Sequence, residues 1–152
     1  MTQATGGGTF FEAMVEIKVA GGAWTDISGW GSSVARSGGD RQSGEAYTFD
    51  GDAAILGEGK RQPQDITVRT LYTESAPDPY AVVLAAFLAH TMMQVRWSPL
   101  GGHTGQKRYT TDPIYSIITA CPPPAGEAGS GDPIMFEFVV HTSDVTQDTE
   151  TT

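Results

Sequence analysis

The chain has 152 residues, nine Lys and Arg against 18 Asp and Glu for a formal charge of −9, and one cysteine. This is one domain's length of chain. No apolar run approaches the roughly 18 residues of a membrane span, and residues 1–8 lack the charged start and apolar stretch of a signal peptide. Cys121 alone makes no internal disulfide, and the absence of asparagine removes N-glycosylation, so the reading is intracellular. Basic residues never exceed two in a row, at Lys60-Arg61 and Lys107-Arg108, so phosphate-driven nucleic-acid affinity is disfavoured. Leu, Ile, Val and Phe number 29 in all, enough only for a thin core that calls for completion by partners.

Residues 1–9, with three consecutive glycines, read as a flexible arm. From Phe11 the pattern alternates, with Ala13, Val15, Ile17 and Val19 on the core side and Glu12, Met14, Glu16 and Lys18 outside, as in a half-buried strand. Gly21-Gly22 and the return through Trp24 to Ile27 make a hairpin. Residues 31–45 are rich in Gly and Ser without periodicity and read as a long loop. Strand-like runs follow at 46–49, 53–56, 65–72, 93–98, 107–111, 114–120 and 133–141, the spacing of a β-sandwich or barrel. Between them, Asp78-Pro79 marks the N-cap and first turn of a helix over about 79–91. That helix carries no charge before His90 and so needs cover on two sides. Residues 142–152 hold Asp144, Asp148 and Glu150 with no cation and read as an acidic arm. The fold class is therefore mainly β, a two-sheet sandwich or barrel over residues 10–141 with one flanking helix and no second domain.

Catalytic chemistry has no anchor, because G-x-S-x-G, H-E-x-x-H and C-x-x-C are all missing. Gly57-Glu58-Gly59-Lys60 fails as a phosphate loop, having Ala54 for the first glycine and Arg61 for the hydroxyl, and Asp50-Gly51-Asp52 fails as a calcium loop at Ala54 and Ile55. No catalytic residue, cofactor or metal is assigned. His90 reads as a partner of the helix dipole and His103 as a solvated loop residue. Trp24, Trp30 and Trp97 on one exposed face would make a sugar-stacking platform, whereas core or interface packing is the simpler reading.

The Trp24-Thr25-Asp26-Ile27-Ser28-Gly29 turn, the glycine-rich loop, Asp50-Gly51-Asp52, Gly57-Glu58-Gly59-Lys60 and the run Asp65 to Glu74 together resemble the tail tube proteins of long-tailed bacteriophages. The resemblance spans about residues 10–141 and implies a β-sandwich with one helix on its flank, six copies to a ring, and rings stacked into a hollow tube for the genome. It implies a structural protein and not an enzyme, located in the virion tail after assembly in the host cytoplasm. Its partners would be itself, other tail proteins and passing double-stranded DNA, with no membrane. On this reading Tyr80, Val83, Leu84 and Phe87 of the helix and Gly38, Gly39 and Arg41 of the loop are the candidate subunit contacts. Glu12, Glu16 and Glu137 are the candidate lumen residues. A terminator or completion ring of the same fold, and a small carbohydrate-binding sandwich, are the alternatives.

Overall fold

A computed structural model describes residues 10–76 and 78–151, and the expected arm at 1–9 lies outside the described residues. A 3-10 turn at Phe10–Glu12 leads into β1 (Met14–Val19), followed by β2 (Thr25–Asp26), β3 (Gly31–Gly38), β4 (Arg41–Ala46), β5 (Ile55–Arg61) and β6 (Gln64–Leu71). After α1 (Pro79–Leu88) come β7 (Met93–Ser98), β8 (Lys107–Thr111), β9 (Ser116–Ala120), β10 (Met135–Thr142) and β11 (Val145–Thr149). Two open antiparallel sheets face each other, one ordered β11-β8-β7-β1-β2 and the other β3-β6-β10-β9, while β4 and β5 form a separate two-stranded ribbon. The architecture is the expected sandwich with one helix, and it is not a closed barrel.

Period-2 alternation places the core between the sheets. Val15, Ile17, Val95 and Trp97 point inward from the five-stranded sheet, and Ile66, Val68, Phe136, Phe138 and Val140 point back from the four-stranded one. Burying one such side chain stabilises by about 1.5–3 kcal/mol. The helix closes the flank with Val83 and Ala86. It starts as the sequence dictates: Tyr80 N–H donates to Asp78 Oδ1 at 3.1 Å, and Pro79 occupies the first turn where its missing donor costs nothing. It stops in a Schellman turn, with Thr91 N–H donating to the Ala86 carbonyl at 2.9 Å and His90 at φ 54° where glycine is usual.

Three expectations are corrected. Residues 31–45 are not a loop: β3 lies along β6 from Gly31↔Thr70 to Gly38↔Gln64, and β4 continues into the ribbon. An edge strand with one half-buried apolar residue, Val34, carries no hydrophobic alternation to read. The expected acidic arm at 142–152 is not free over its described part, because β11 pairs with β8 from Val145↔Thr111 to Thr149↔Lys107. Its cross-strand partners, Arg108 with Asp148 and Glu150, supply the cations the segment itself lacks. The first strand starts at Met14, after the 3-10 turn that holds Glu12.

Candidate assembly interface

Among the described residues no group of three His, Cys, Asp or Glu side chains is placed to hold a metal, and no helix is long and apolar enough to cross a membrane. The surface is informative for its apolar exposure. Helix α1 turns Pro79, Val83 and Ala86 inward, with Tyr80, Leu84 and Phe87 packed on the core beside them. The Tyr80 ring meets Tyr72 at 5.2 Å and Phe136 at 5.1 Å, both edge-on. Val83, with 0% exposure, is wholly enclosed by its own subunit and so is not a contact residue. The outward side is instead Ala81, Val82, Ala85, Leu88 and Ala89, small and uncharged throughout. The helix therefore has the two apolar sides that its sequence requires, with different residues on the outer one.

Gly38 and Gly39 form the turn from β3 to β4 at φ 81° and 82°. A Cβ on Gly38 would stand 2.5 Å from the Pro63 carbonyl oxygen, and one on Gly39 would stand 2.8 Å from the Gln64 side chain. Both glycines are required by the fold itself. Arg41 is exposed in β4 opposite Arg61, whose guanidinium is 3.1 Å from Asp144.

The ribbon that follows is what sequence reasoning missed. From Ala46↔Ile55 down to Arg41↔Arg61 its strands pair only with each other, and at its tip Tyr47, Phe49, Ile55 and Leu56 are all exposed. The runs 46–49 and 53–56, read from the sequence as strands, are mostly the connection at its tip instead, because β4 ends at Ala46 and β5 starts at Ile55. A second apolar patch lies on the body. Ile114, Tyr115 and Ile117 are exposed there, and a cavity of about 260 Å³ opens among Pro63, Met92, Tyr115, Ile117, His141 and Ser143. Asp112 builds its rim: its Oδ1 accepts from the N–H groups of Ile114 and Tyr115, each at 2.8 Å, which turns both side chains outward. Those two backbone donors hold the Asp112 carboxyl below the usual carboxylate range.

The charge pattern changes the picture of the lumen candidates. Glu16 lies on the outer face of the five-stranded sheet and Glu137 on the outer face of the four-stranded one, because their neighbours Val15, Ile17, Phe136 and Phe138 point inward. The two outer faces of a sandwich look away from each other, so Glu16 and Glu137 do not line one channel together. Glu16 is also locked onto Arg96, whose guanidinium sits 4.1 Å from the centre of the Trp24 ring. Glu137 is 54% exposed and only 3.9 Å from Arg69, which leaves its carboxylate largely in solvent. Glu12 is exposed in the 3-10 turn rather than on a strand face. Arg108 grips Asp148 through two 3.1 Å contacts and depresses that carboxyl, while burial pushes the Cys121 thiol up.

The tryptophans do not make a platform. Trp97 is in the core, stacked on Tyr109 at 5.7 Å, while Trp24 lies under Arg96 on the outer face.

No family model matches the chain, and no curated protein sequence matches it. Solved structures do share its fold. A subunit of the anti-feeding prophage baseplate, a sixfold-symmetrised cryo-EM structure, superposes with a TM-score of 0.70 at 9% identity, covering 100% of both chains. A subunit of that prophage's tube-terminating cap gives 0.64 at 13% identity, covering 98% of this chain and 95% of that one. One from the sheath/tube terminator of an extracellular contractile injection system gives 0.63 at 16% identity, covering 89% and 93%. The chain thus has a tail-tube-like fold, the class that its sequence resembles.

Proposed function

We propose that the protein is a structural subunit of a phage-like tail or injection device, assembling with copies of itself into rings that stack as the tail tube. The observation that carries this reading is an apolar surface the subunit cannot cover: the ribbon tip at Tyr47, Phe49, Ile55 and Leu56 and the outer side of α1 at Val82 and Leu88. Exposed patches of this kind on a well-packed body mark contact sites. The likeness to subunits of a sixfold-symmetrised prophage baseplate and of a contractile injection system's sheath/tube terminator supports it.

Six copies of a −9 chain carry −54 per ring. A wall of that sign repels DNA phosphates and keeps a passing genome from adhering. Glu137, still solvated, is the carboxylate we place on that wall, with Glu16 serving the subunit's own sheet. Virion location and assembly in the host cytoplasm with other tail proteins follow from the same reading. A terminator ring is the second reading, favoured by the likeness to cap and terminator subunits.

Mass photometry and negative-stain microscopy of the purified chain decide among these. Tubes that lengthen with concentration identify a tube subunit, and closed single rings identify a terminator. A monomer at tens of micromolar in both low and physiological salt rejects self-assembly.

A further inference from the structure

The charge of −9 is spread unevenly over the chain, and little of it stands on the face that carries Glu137. Period-2 alternation turns Asp65, Thr67 and Arg69 of β6 and Glu137, Val139 and His141 of β10 to the outer side of the four-stranded sheet. The edge strands add no charge to it. On β9 the outward residues are Ile117 and Thr119, and on β3 Arg36 is in register with the inward Ile66 and reaches Gln64 Oε1 instead. Among the described strand residues, then, the face has four groups that carry or can gain charge. They form two cross-strand pairs, Glu137↔Arg69 and His141↔Asp65, four residues apart along both strands or about 13 Å.

The two pairs differ in kind. Arg69 is cationic at all working pH values and offsets Glu137, although the two are half exposed and 3.9 Å apart. His141 offsets Asp65 only when protonated. Its Nδ1 stands 2.6 Å from Asp65 Oδ1, and a carboxylate only accepts, so Nδ1 carries the hydrogen and donates it. That leaves Nε2 to take a second proton from the solvent that reaches the 41% exposed side chain. The elements packed around the ring bring no other free charge to it. Ile117 is opposite on β9, and Tyr115 lines the same cavity. Arg61 and Asp144 pair with each other at 3.1 Å, the Asp112 carboxylate accepts from the Ile114 and Tyr115 N–H groups, and His90 lies beyond Ile117 in a separate cavity.

We infer that His141 sets the net charge of this face. With the ring neutral, two carboxylates stand against one guanidinium, which leaves one negative charge per subunit and six per ring of six; with Nε2 protonated, the face carries none. Histidine gains its proton in mildly acidic solution, where Asp, Glu and Arg keep their charges. The inference rests on the reading above that Glu137 faces the channel. On that reading acid takes away the repulsion at the wall and leaves two cations per subunit beside the passing phosphates, so the conduit is free-running at neutral pH and retentive in acid.

The test uses particles built from wild-type, His141→Gln or His141→Lys chains, with His90→Gln and His103→Gln as controls. DNA ejection is timed at low salt at about pH 5.5 and about pH 7.5, on either side of the histidine range. Each purified subunit is checked for an unchanged circular-dichroism spectrum, and the wild-type His141 ring is followed by NMR across the same range. The ring is expected to gain its proton between the two pH values, and wild-type ejection to be slower at the lower one. His141→Gln is expected to lose the pH difference, His141→Lys to be slow at both values, and the two control variants to respond as wild type does. Added salt is expected to erase the slowing in acid as the Debye length falls below about 10 Å. A ring that stays neutral at the lower pH, wild-type ejection equal at both values, or a His141→Gln particle that still slows in acid overturns the role of His141 and leaves the conduit reading standing. Wild-type ejection at low salt from both His141→Lys and Glu137→Lys particles removes this face from the channel wall and overturns both.

Discussion

Glu16 and Arg96 stand directly opposite each other across β1 and β7, and the Arg96 Nε and Nη2 atoms both reach Glu16 Oε2 at 2.5 Å. The two side chains are only 13% and 17% exposed, and Arg96 is covered by Trp24 as well. Removing one partner of such a pair strands the other charge, and reversing it sets two cations against each other. Glu16→Lys is expected to cost about 1–3 kcal/mol, which a urea melt will show. Glu137→Lys, at a half-exposed site, is expected to change stability by less than about 0.5 kcal/mol.

That contrast also separates stability from conduit function. Glu137→Lys moves each subunit from −9 to −7 while leaving its packing intact. If Glu137 faces the channel, particles built from the variant are expected to eject DNA more slowly at low salt. The rate is expected to recover as salt shortens the Debye length below about 10 Å. Unchanged ejection kinetics at low salt place Glu137 on the outside.

The ribbon is expected to be separable from the body. Its strands pair only with each other beyond the base, and two strands alone are marginal in water. Replacing residues 43–58 by a two-residue turn is expected to leave the melting temperature within a few degrees of wild type while abolishing assembly. Deleting 37–44 is different, because it removes Ser37↔Asp65 and Gly38↔Gln64 from β3 and destroys the Gly38-Gly39 turn. Loss of native circular dichroism in the first variant and not the second is the opposite of what the fold requires.

The contrast between β6, β7 and β10 on one side and β3 on the other shows what a single sequence discloses. The first three are buried on alternate residues, so hydrophobic period announces them within a residue or two. The edge strand β3 is exposed on most of its length and needs no apolar residues, so its composition is that of a loop. Helix α1 was legible from its cap and its lack of charge, yet which apolar residues face outward depends on how the helix is rolled against Phe136. Glu16 was legible as an outward residue. Its pairing with Arg96, 80 residues away, exists only once β1 and β7 are side by side.

Acid is expected to act through Asp112 and Asp148. Both carboxyls are held low in the fold, Asp112 by the Tyr115 and Ile114 N–H groups and Asp148 by Arg108. Between the folded value and the unfolded value near 3.9 the unfolded chain binds more protons, so stability rises with pH there. The contribution is complete above the unfolded value and disappears as pH falls through the folded one. Asp112→Ala is expected to flatten the slope of melting temperature against pH below about 4 and to leave it unchanged near neutrality. Because Asp112 turns Ile114 and Tyr115 outward, the same variant is expected to weaken assembly at neutral pH. A wild-type slope and wild-type assembly would remove Asp112 from both roles.

Phe87 and Leu88 are adjacent in α1 and separate the two sides of the helix. Phe87 packs on the core and lines a cavity of about 150 Å³ with Ile117 and Ile118, whereas Leu88 is 67% exposed. A carboxylate at Phe87 would remove the ring's packing on the core and stand beside Ile117 and Ile118, with His90 and Thr91 as its polar neighbours. Phe87→Asp is therefore expected to unfold or strongly destabilise the subunit, and its failure to assemble would say nothing about an interface. Leu88→Asp puts the same charge into solvent in the free subunit, and its melting temperature is expected to stay within a few degrees of wild type. If a neighbouring copy covers this side of the helix, the charge is buried only on assembly, so rings and tubes are lost while the monomer remains folded. Normal rings from Leu88→Asp leave the outer side of α1 facing solvent in the assembled device, and put the weight of subunit contact on the other exposed apolar patches.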